Sequence, residues 1–377
     1  MPKTVLEFFA GIGLMREGLA RTGWDVVFAN DIDPDKQEMY SSHFQDENSH
    51  FNLGDIHALN PRTLPNAMLA TASFPCNDLS LAGGRAGLRG AQSSAFWGFT
   101  RALEGMARRK PPMVLLENVT GFLTSNGGAD FLTVLQELNR LGYRVDTFII
   151  DASYFVPQSR QRLFIVGIQN EEPPPALVEE GGFYESEIRP KALADFIFEH
   201  SNDVQWDLRN LPPLPELRLT LSDILEPVPA NSAEWWSKDR VDYLLGQMSE
   251  RHLATAEEMM RRGVYSYGTV FRRVRNGRSM AELRTDGIAG CLRTPRGGSG
   301  RQILFKAGRG RCQVRLLNGR ECARLMGADH YILNVPLNQA LFGFGDAVCV
   351  PVVEWIAQHY LDAVYEELVP TRHRVPA

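Results

Sequence analysis

A doubly wound α/β domain with a mostly parallel sheet, carrying a second, smaller lobe, is the fold that three features of this chain lead to expect. Short apolar runs alternate with helical patterns from Lys3 to about Gly167, which is how a parallel sheet with crossover helices reads. The character changes after Gln169, where Pro173, Pro174 and Pro175 stand among acidic residues and further Pro and Trp punctuation continues to about Trp236. Regular helix returns near Arg315, so the chain is expected to leave one domain and re-enter it. A length of 377 residues fits two lobes, one of them able to bury a sizeable core.

In chain order, strands are expected at Thr4–Phe8, Asp25–Asn30, Leu69–Ser73, Met113–Glu117, Tyr143–Ile149 and Arg162–Ile168. The helices between them include Leu14 to Thr22, which ends at a glycine, and Phe131 to Leu141, with Gly142 as its C-cap. The boundaries expected from this pattern are 1–185 for the first lobe, 186–310 for the second and 311–377 for the return. Asn318 to Gly327 then forms a helix, and the apolar stretch after Asp346 a final helix of the first lobe.

The formal net charge of -5 hides an asymmetry, because residues 261–324 hold 16 Lys and Arg against 3 Asp and Glu, while the rest of the chain holds 24 against 42. A basic stretch rich in Arg, Gly and Ser suits phosphate contact, since backbone affinity comes from neutralising phosphates and releasing counterions. Val270, Phe271, Ile303, Leu304 and Phe305 are interleaved there and give it something to bury, which argues against a disordered basic loop. No run approaches the roughly 18 apolar residues of a membrane span, and Met1 to Glu7 lacks the features of a signal peptide. An intracellular, cytoplasmic protein with no membrane partner is therefore expected. The five cysteines form no CxxC pair, which points to neither disulfides nor a metal site and leaves room for one reactive thiol.

Four sites carry chemistry. Phe8-Phe9-Ala10-Gly11-Ile12-Gly13 ends a strand in a glycine turn before a helix, where a ligand can approach unsatisfied backbone N–H groups. NAD, FAD and S-adenosylmethionine all bind such turns. Asp31 closes the next strand about 20 residues on, where a doubly wound fold brings a carboxylate to a ribose. Gly54-Asp55-Ile56 is placed to bond an adenine amine and cover the ring, and is equally a good turn. The second site is Phe74-Pro75-Cys76-Asn77-Asp78-Leu79-Ser80, after a further strand. A buried cysteine is commonly an inert small hydrophobe, but here Pro75 stiffens the approach. The glycine-rich loop that follows, with Arg85 and Arg89, reads as a lid bearing a nucleophile. Third, Glu117-Asn118-Val119 follows an apolar strand, and an acid in such a pocket keeps a raised pKa because burial disfavours its charge. Fourth, alternation in Gln158-Ser159-Arg160-Gln161-Arg162 points Arg160 and Arg162 to one side. Two fixed guanidiniums there clamp a carbonyl, phosphate or carboxylate, or hold a neighbouring acid.

Together with Arg320-Glu321-Cys322-Ala323-Arg324-Leu325-Met326-Gly327, these blocks in this order resemble the cytosine-5 DNA methyltransferase family of the bacterial or phage restriction–modification type. The resemblance implies a class I S-adenosylmethionine-dependent methyltransferase fold, catalytic in residues 1–185 and 311–377, with a target-recognition domain in 186–310. It implies S-adenosylmethionine as cofactor, with Phe9 on the adenine, Gly11 and Gly13 in the turn, Asp31 at the ribose, Asp55 at the adenine amine, and Ile32 and Ile56 beside the ring. Ile32 stands where many members have an aromatic residue, and Asp346-Ala347 where Asn-Ser is common, so a hydroxyl contact to the cofactor is lost. Asn77-Asp78 stands where Gln is frequent. The implied partner is duplex DNA, met by Ser80, Arg85, Arg89, Arg272, Arg273 and Arg275. A cognate restriction endonuclease acting on the same site fits this context, and the protein is expected to act as a monomer.

The chemistry needs these residue types. Carbon 5 of cytosine is a poor nucleophile until a thiolate, from Cys76, adds to carbon 6. Nearby positive charge, as from Arg162, favours that thiolate. A protonated Glu117 would bond ring nitrogen 3 while Arg160 or Arg162 meets the exocyclic oxygen, and a base in a duplex must be flipped out to be reached. Three rivals share parts of this pattern: an RNA cytosine-5 methyltransferase, a nicotinamide-dependent oxidoreductase and a catalytically silent DNA-binding protein. The large second lobe favours DNA, and the complete residue set favours an enzyme.

Overall fold

The computed structural model describes residues 2–46, 50–74, 94–169, 185–275, 277–294 and 300–369. Strands β1 (Thr4–Phe8), β2 (Asp25–Asp31), β3 (Phe51–Leu53), β4 (Leu69–Ala72), β5 (Met113–Val119), β6 (Arg144–Asp151) and β7 (Gln161–Ile168) form one sheet, ordered β3-β2-β1-β4-β5-β7-β6. The pairs from β3 to β5 are parallel, and β7 runs antiparallel between β5 and β6. This is the doubly wound, mostly parallel sheet that the alternation led to expect, with β3 as an added edge.

Because side chains alternate along a strand, each central strand feeds two apolar layers. Val5, Leu69, Met113, Leu115, Phe164 and Val166 belong to one, while Leu6, Ala70, Val114, Leu116, Leu163 and Ile165 belong to the other. Each fully buried Val, Leu, Ile, Phe or Met side chain contributes about 1.5–3 kcal/mol. Helices α1 (Leu14–Ala20) and α2 (Pro34–Phe44) cover the first layer. Helices α3 (Ser94–Gly105), α4 (Ala129–Arg140) and α5 (Lys191–Glu199) cover the second. Asp33 caps α2 by accepting the N–H groups of Asp35 and Lys36, with Pro34 at the first helical position. Gly142, at φ 87°, lies just past the end of α4, as its sequence position suggested.

The second lobe has its own core. Strands β8 (Ser266–Arg275), β9 (Arg278–Arg284), β10 (Ile303–Gly308) and β11 (Arg311–Leu316) form an antiparallel sheet ordered β11-β10-β8-β9. The short α6 (Leu221–Ile224) packs with the first layer of the large domain. By contrast α7 (Lys238–Gly246) and α8 (Glu250–Arg261) send Val241, Leu244, Ala256 and Met259 onto Val270, Ile303, Phe305 and Val314 of the small sheet. The core of this lobe thus runs from Val241 to Val314, whereas α5 and α6, inside the expected span 186–310, rest on the large domain.

Helices α9 (Gly319–Leu325), α10 (Leu337–Asp346), α11 (Val350–Ile356) and α12 (Asp362–Leu368) bring the chain back to the first layer. By length and composition the run Leu337–Leu368 could cross a membrane, yet 67% of its most apolar window is buried inside the domain. Asn318 and Glu321 form a capping box at the start of α9. The Glu321 carboxylate also accepts from Arg315 at the end of β11, Nη1 to Oε2 at 2.7 Å, with both side chains 1% exposed or less. Breaking a buried pair of this kind typically costs about 3–5 kcal/mol, so it fixes where the small sheet joins the returning helix.

Candidate active site

In an open α/β sheet, ligands collect at the carboxyl ends of the strands where the winding reverses. Here the reversal lies between β1, which leads to β2 and β3 on one side, and β4, which leads to β5 on the other. A cleft of about 520 Å³ opens there, within the range that suits a cofactor-sized ligand.

The sequence-derived residues Phe9, Gly11, Asp31, Ile32, Asp55, Ile56, Glu117 and Arg162 all line this cleft. The backbone turns sharply after β1, with Phe9 and Gly11 both at φ 56°. A Cβ on Gly11 would meet nothing within 4 Å, which leaves the backbone open to a ligand. The Asp31 carboxylate is aimed by two backbone donors, Gly11 N–H at 2.8 Å and Asp33 N–H at 2.9 Å. Asn30 ties this edge down by donating to the carbonyls of Asn52 and Gly54, each at 2.9 Å. Asp55 accepts from His57 N–H at 2.9 Å. Ile32 is 68% exposed.

At the other end of the cleft Glu117 is 6% exposed and its Oε1 meets Arg162 Nε at 2.9 Å. Burial raises its pKa, opposed by the charges of Arg162 and Arg160 and by a hydrogen bond from Ser73. The register Ala72↔Leu116 sets Ser73 and Phe74 beside Glu117 and Asn118, and Asn118 Nδ2 reaches the Phe74 carbonyl at 3.5 Å. The chain that continues into Pro75 and Cys76 therefore starts next to Glu117. Cys76, Ser80, Arg85 and Arg89 themselves lie outside the described residues.

Two of the expected site residues lie outside the cleft lining. Arg160 does not enter the cleft beside Arg162. It is 2% exposed, and its guanidinium donates to the carbonyls of Leu292 (2.9 Å), Gly345 (3.1 Å) and Ala347 (2.5 Å). The alternation rule fails because β7 begins only at Gln161, so Arg160 lies before the pleat and is drawn to backbone segments distant in sequence. Gly13 is likewise absent from the cleft lining. A Cβ there would sit 2.3 Å from Phe44 and 2.8 Å from Tyr40, at φ 82°, so its glycine serves the packing of α1 on α2. Arg272, Arg273 and Arg275 lie far along β8 in the second lobe, where Glu282 pairs with Arg275 at 2.9 Å and Arg273 at 3.6 Å.

Two features were missed. Glu7, on β1, lines the cleft at 1% exposure, and burial pushes its pKa up to about 8. Its Oε2 is buried with no hydrogen-bond partner among the described residues, and a lone acid in the otherwise apolar run Val5-Leu6-Glu7-Phe8 was a usable signal. Asp346, expected only as a lost contact, pairs with Lys36 at 2.9 Å, and both line the cleft. Elsewhere Glu17, His43 and His330 gather their ligand atoms within 4.8 Å. The Nδ1 of His43 accepts Ile332 N–H at 3.2 Å, which leaves the proton on Nε2 facing Glu17 at 3.4 Å. With its proton there, Nε2 has no lone pair to offer a metal.

The set of acceptors fits a cationic, hydroxyl-bearing nucleoside cofactor. Acids Asp31, Asp33 and Asp55 line the cleft, and Glu7 Oε2, without a partner among the described residues, calls for a hydrogen-bonding group.

A family model described as C-5 cytosine-specific DNA methylase matches residues 3–361. The type II methyltransferase M.HhaI of Haemophilus parahaemolyticus is 27% identical over 358 residues, 93% of this chain and 92% of the relative. The type II methyltransferase M.NgoBI of Neisseria gonorrhoeae is 27% identical over 357 residues, 94% of this chain and 91% of the relative. In three dimensions the chain is similar to the S. pombe Dnmt2 methyltransferase, with a TM-score of 0.61, 19% identity and coverage of 98% and 99%.

Proposed function

Because this chain belongs to the C-5 cytosine-specific DNA methylase family, we propose that it methylates a flipped-out cytosine within a specific duplex sequence, through a covalent bond from Cys76 to carbon 6. Methyl transfer to carbon 5 of cytosine in DNA is the family's activity. The observation that carries the finer reading is the buried Glu117–Arg162 pair, placed next to the strand end that leads into Cys76.

Glu117 is held in a site that favours its neutral form, so it can give a proton in a hydrogen bond to ring nitrogen 3 as the ring gains electron density. Arg162, with Nε on Glu117, has its guanidinium at hand for the exocyclic oxygen. The Cys76 thiolate forms a bond to carbon 6, and carbon 5 then takes the methyl group. Transfer of the carbon 5 proton to solvent water, with its electron pair closing the ring double bond as the sulfur–carbon bond breaks, releases 5-methylcytosine and restores the thiolate. S-adenosylmethionine supplies the electrophilic methyl when bound. For its binding we assign Phe9 to the adenine face, Asp31 to the ribose, Asp55 to the adenine amine, and Ile32 and Ile56 to covering the ring.

We assign catalysis to residues 1–185 and 311–377 and base readout to the lobe expected at 186–310, whose sheet of basic strands runs past that bound to the end of β11 at Leu316. Ser80, Arg85, Arg89, Arg272, Arg273 and Arg275 remain the assigned DNA contacts. We also assign it a cytoplasmic location, a monomeric state and the protection of DNA from a cognate restriction endonuclease, the last in keeping with the relatives' designation as type II methyltransferases. Bisulfite sequencing of host DNA after expression tests this reading. We expect 5-methylcytosine at one fixed sequence. Host DNA left unmethylated, with methyl label entering RNA instead, would overturn it.

A further inference from the structure

We propose that Lys36 and Asp346 bind the charged amino-acid arm of S-adenosylmethionine, Lys36 taking its carboxylate and Asp346 its ammonium. This inference rests on the cofactor reading above and adds the residues that hold the part of the molecule not yet placed.

The cofactor's sulfur carries an adenosyl group, a methyl group and an amino-acid chain. Phe9, Asp31, Ile32, Asp55 and Ile56 are assigned to the first, and the methyl group must face the cytosine at Glu117 and Arg162. What remains is an α-amino acid, whose ammonium sits on the carbon next to the carboxylate. It is met best by a cation and an anion that are themselves close together. Among the described residues, two ion pairs have both members in the cleft lining. One is Glu117–Arg162, which belongs to the base. The other is Lys36–Asp346, with Nζ 2.9 Å from Oδ2. The one further basic side chain of that lining, His57, stands beside Asp55 and has its Nδ1 2.7 Å from Arg101.

The helices that carry the pair add an independent argument. Lys36 lies in the first turn of α2, and Asp346 is the last residue of α10. A helix N-terminus favours anions over basic side chains, and a C-terminus does the reverse. Each charge therefore sits at the helix end that opposes it, whereas a carboxylate at Lys36 and an ammonium at Asp346 both sit at the end that favours them. Laid head to tail against the pair, the arm makes four alternating charges and leaves none uncompensated. Burial lowers the Lys36 pKa, but the charges of Asp346, Asp31 and Asp33 raise it overall, so the side chain stays an ammonium. The pair is not needed to join its helices. Gln339 already ties α10 to α2 by donating to the Asp35 carbonyl at 3.1 Å and the Glu38 carboxylate at 2.8 Å. Arg160 holds the segment around Asp346 from the other side, through the carbonyls of Gly345 and Ala347.

The test is calorimetric binding of three probes to the full chain and its variants. They are S-adenosylmethionine, its decarboxylated form, which keeps the ammonium, and methylthioadenosine, which lacks the whole arm. Lys36→Gln is expected to weaken S-adenosylmethionine about tenfold, the low end for a hydrogen bond to a charged group, as suits a partly exposed site. The same variant should bind the decarboxylated form as the wild type does, and Lys36→Arg should recover most of the loss. Asp346→Asn should weaken both ammonium-bearing probes alike. Methylthioadenosine reports the intact cleft and should bind every variant equally. An equal loss for S-adenosylmethionine and its decarboxylated form in Lys36→Gln would make Lys36 a support of α2 and overturn the carboxylate site. A matching loss of methylthioadenosine binding in Asp346→Asn would overturn the ammonium site in the same way. If the wild type binds S-adenosylmethionine and both variants match it, this inference fails alone. A wild type that binds none of the three probes removes the cofactor reading and this inference with it.

Discussion

Cys76→Ser is expected to lose methyl transfer by roughly 10³-fold or more, as removal of a catalytic nucleophile does elsewhere, while the protein still folds and binds S-adenosylmethionine. A neutral hydroxyl is a poor nucleophile toward carbon 6, and the serine pKa lies far above that of a thiol near 8.5. Tritiated methyl incorporation into duplex DNA reads the loss, and calorimetry with the cofactor reads the intact fold. The cofactor cleft is built from β1, β2 and their turns, so it does not depend on the sulfur. Turnover close to wild type in the serine variant would remove Cys76 from the mechanism.

Glu117→Gln should lower the rate by about 10²–10⁴-fold, the usual worth of a positioned acid, and should also change the pH profile. The sign follows from burial. Desolvation raises the Glu117 pKa, against the pull of Arg162, Arg160 and Ser73, so the neutral acid persists to higher pH than for an exposed carboxyl and is lost as pH rises through that raised value. The same shift means that Glu117 favours the folded state most at low pH and loses that contribution as pH rises. Ionisation of the Cys76 thiol acts the other way, since the reactive thiolate grows with pH. A bell-shaped rate profile is expected, with an alkaline limb due to Glu117. The glutamine variant cannot lose a proton there, so its remaining activity should show no such limb. An unchanged alkaline limb in Glu117→Gln would assign that ionisation to another group.

Much of this architecture was legible because local pattern and global position agree. The short apolar runs from Thr4–Phe8 to Met113–Val119 are buried on both faces, which is what continuous apolar strands mean. The cofactor turn and Asp31 meet because strand order alone brings the ends of β1 and β2 together. Other features depend on contacts that no local pattern encodes. Phe51–Leu53 is too short to show a period. Arg160 is fixed by carbonyls at 292, 345 and 347, so its burial could not be read from its neighbours. The helix at Lys191–Glu199 looked like part of the second lobe, yet Phe196 packs on Phe131, with ring centroids 4.9 Å apart, and thereby joins the large domain. Lys36 and Asp346 meet across 310 positions of sequence, and only the fold reveals that a departure from the family pattern became an ion pair.

The central claim, that catalysis passes through a bond from Cys76 to carbon 6, is tested most directly with a duplex carrying 5-fluorocytosine at the methylated position. Fluorine at carbon 5 leaves no proton to lose after methyl transfer, so the sulfur–carbon bond cannot break. Incubation with S-adenosylmethionine should give a protein–DNA adduct that survives a denaturing gel, requires the cofactor and is absent for Cys76→Ser. Normal methylation of the unfluorinated duplex, with no adduct on the fluorinated one, would contradict the covalent mechanism.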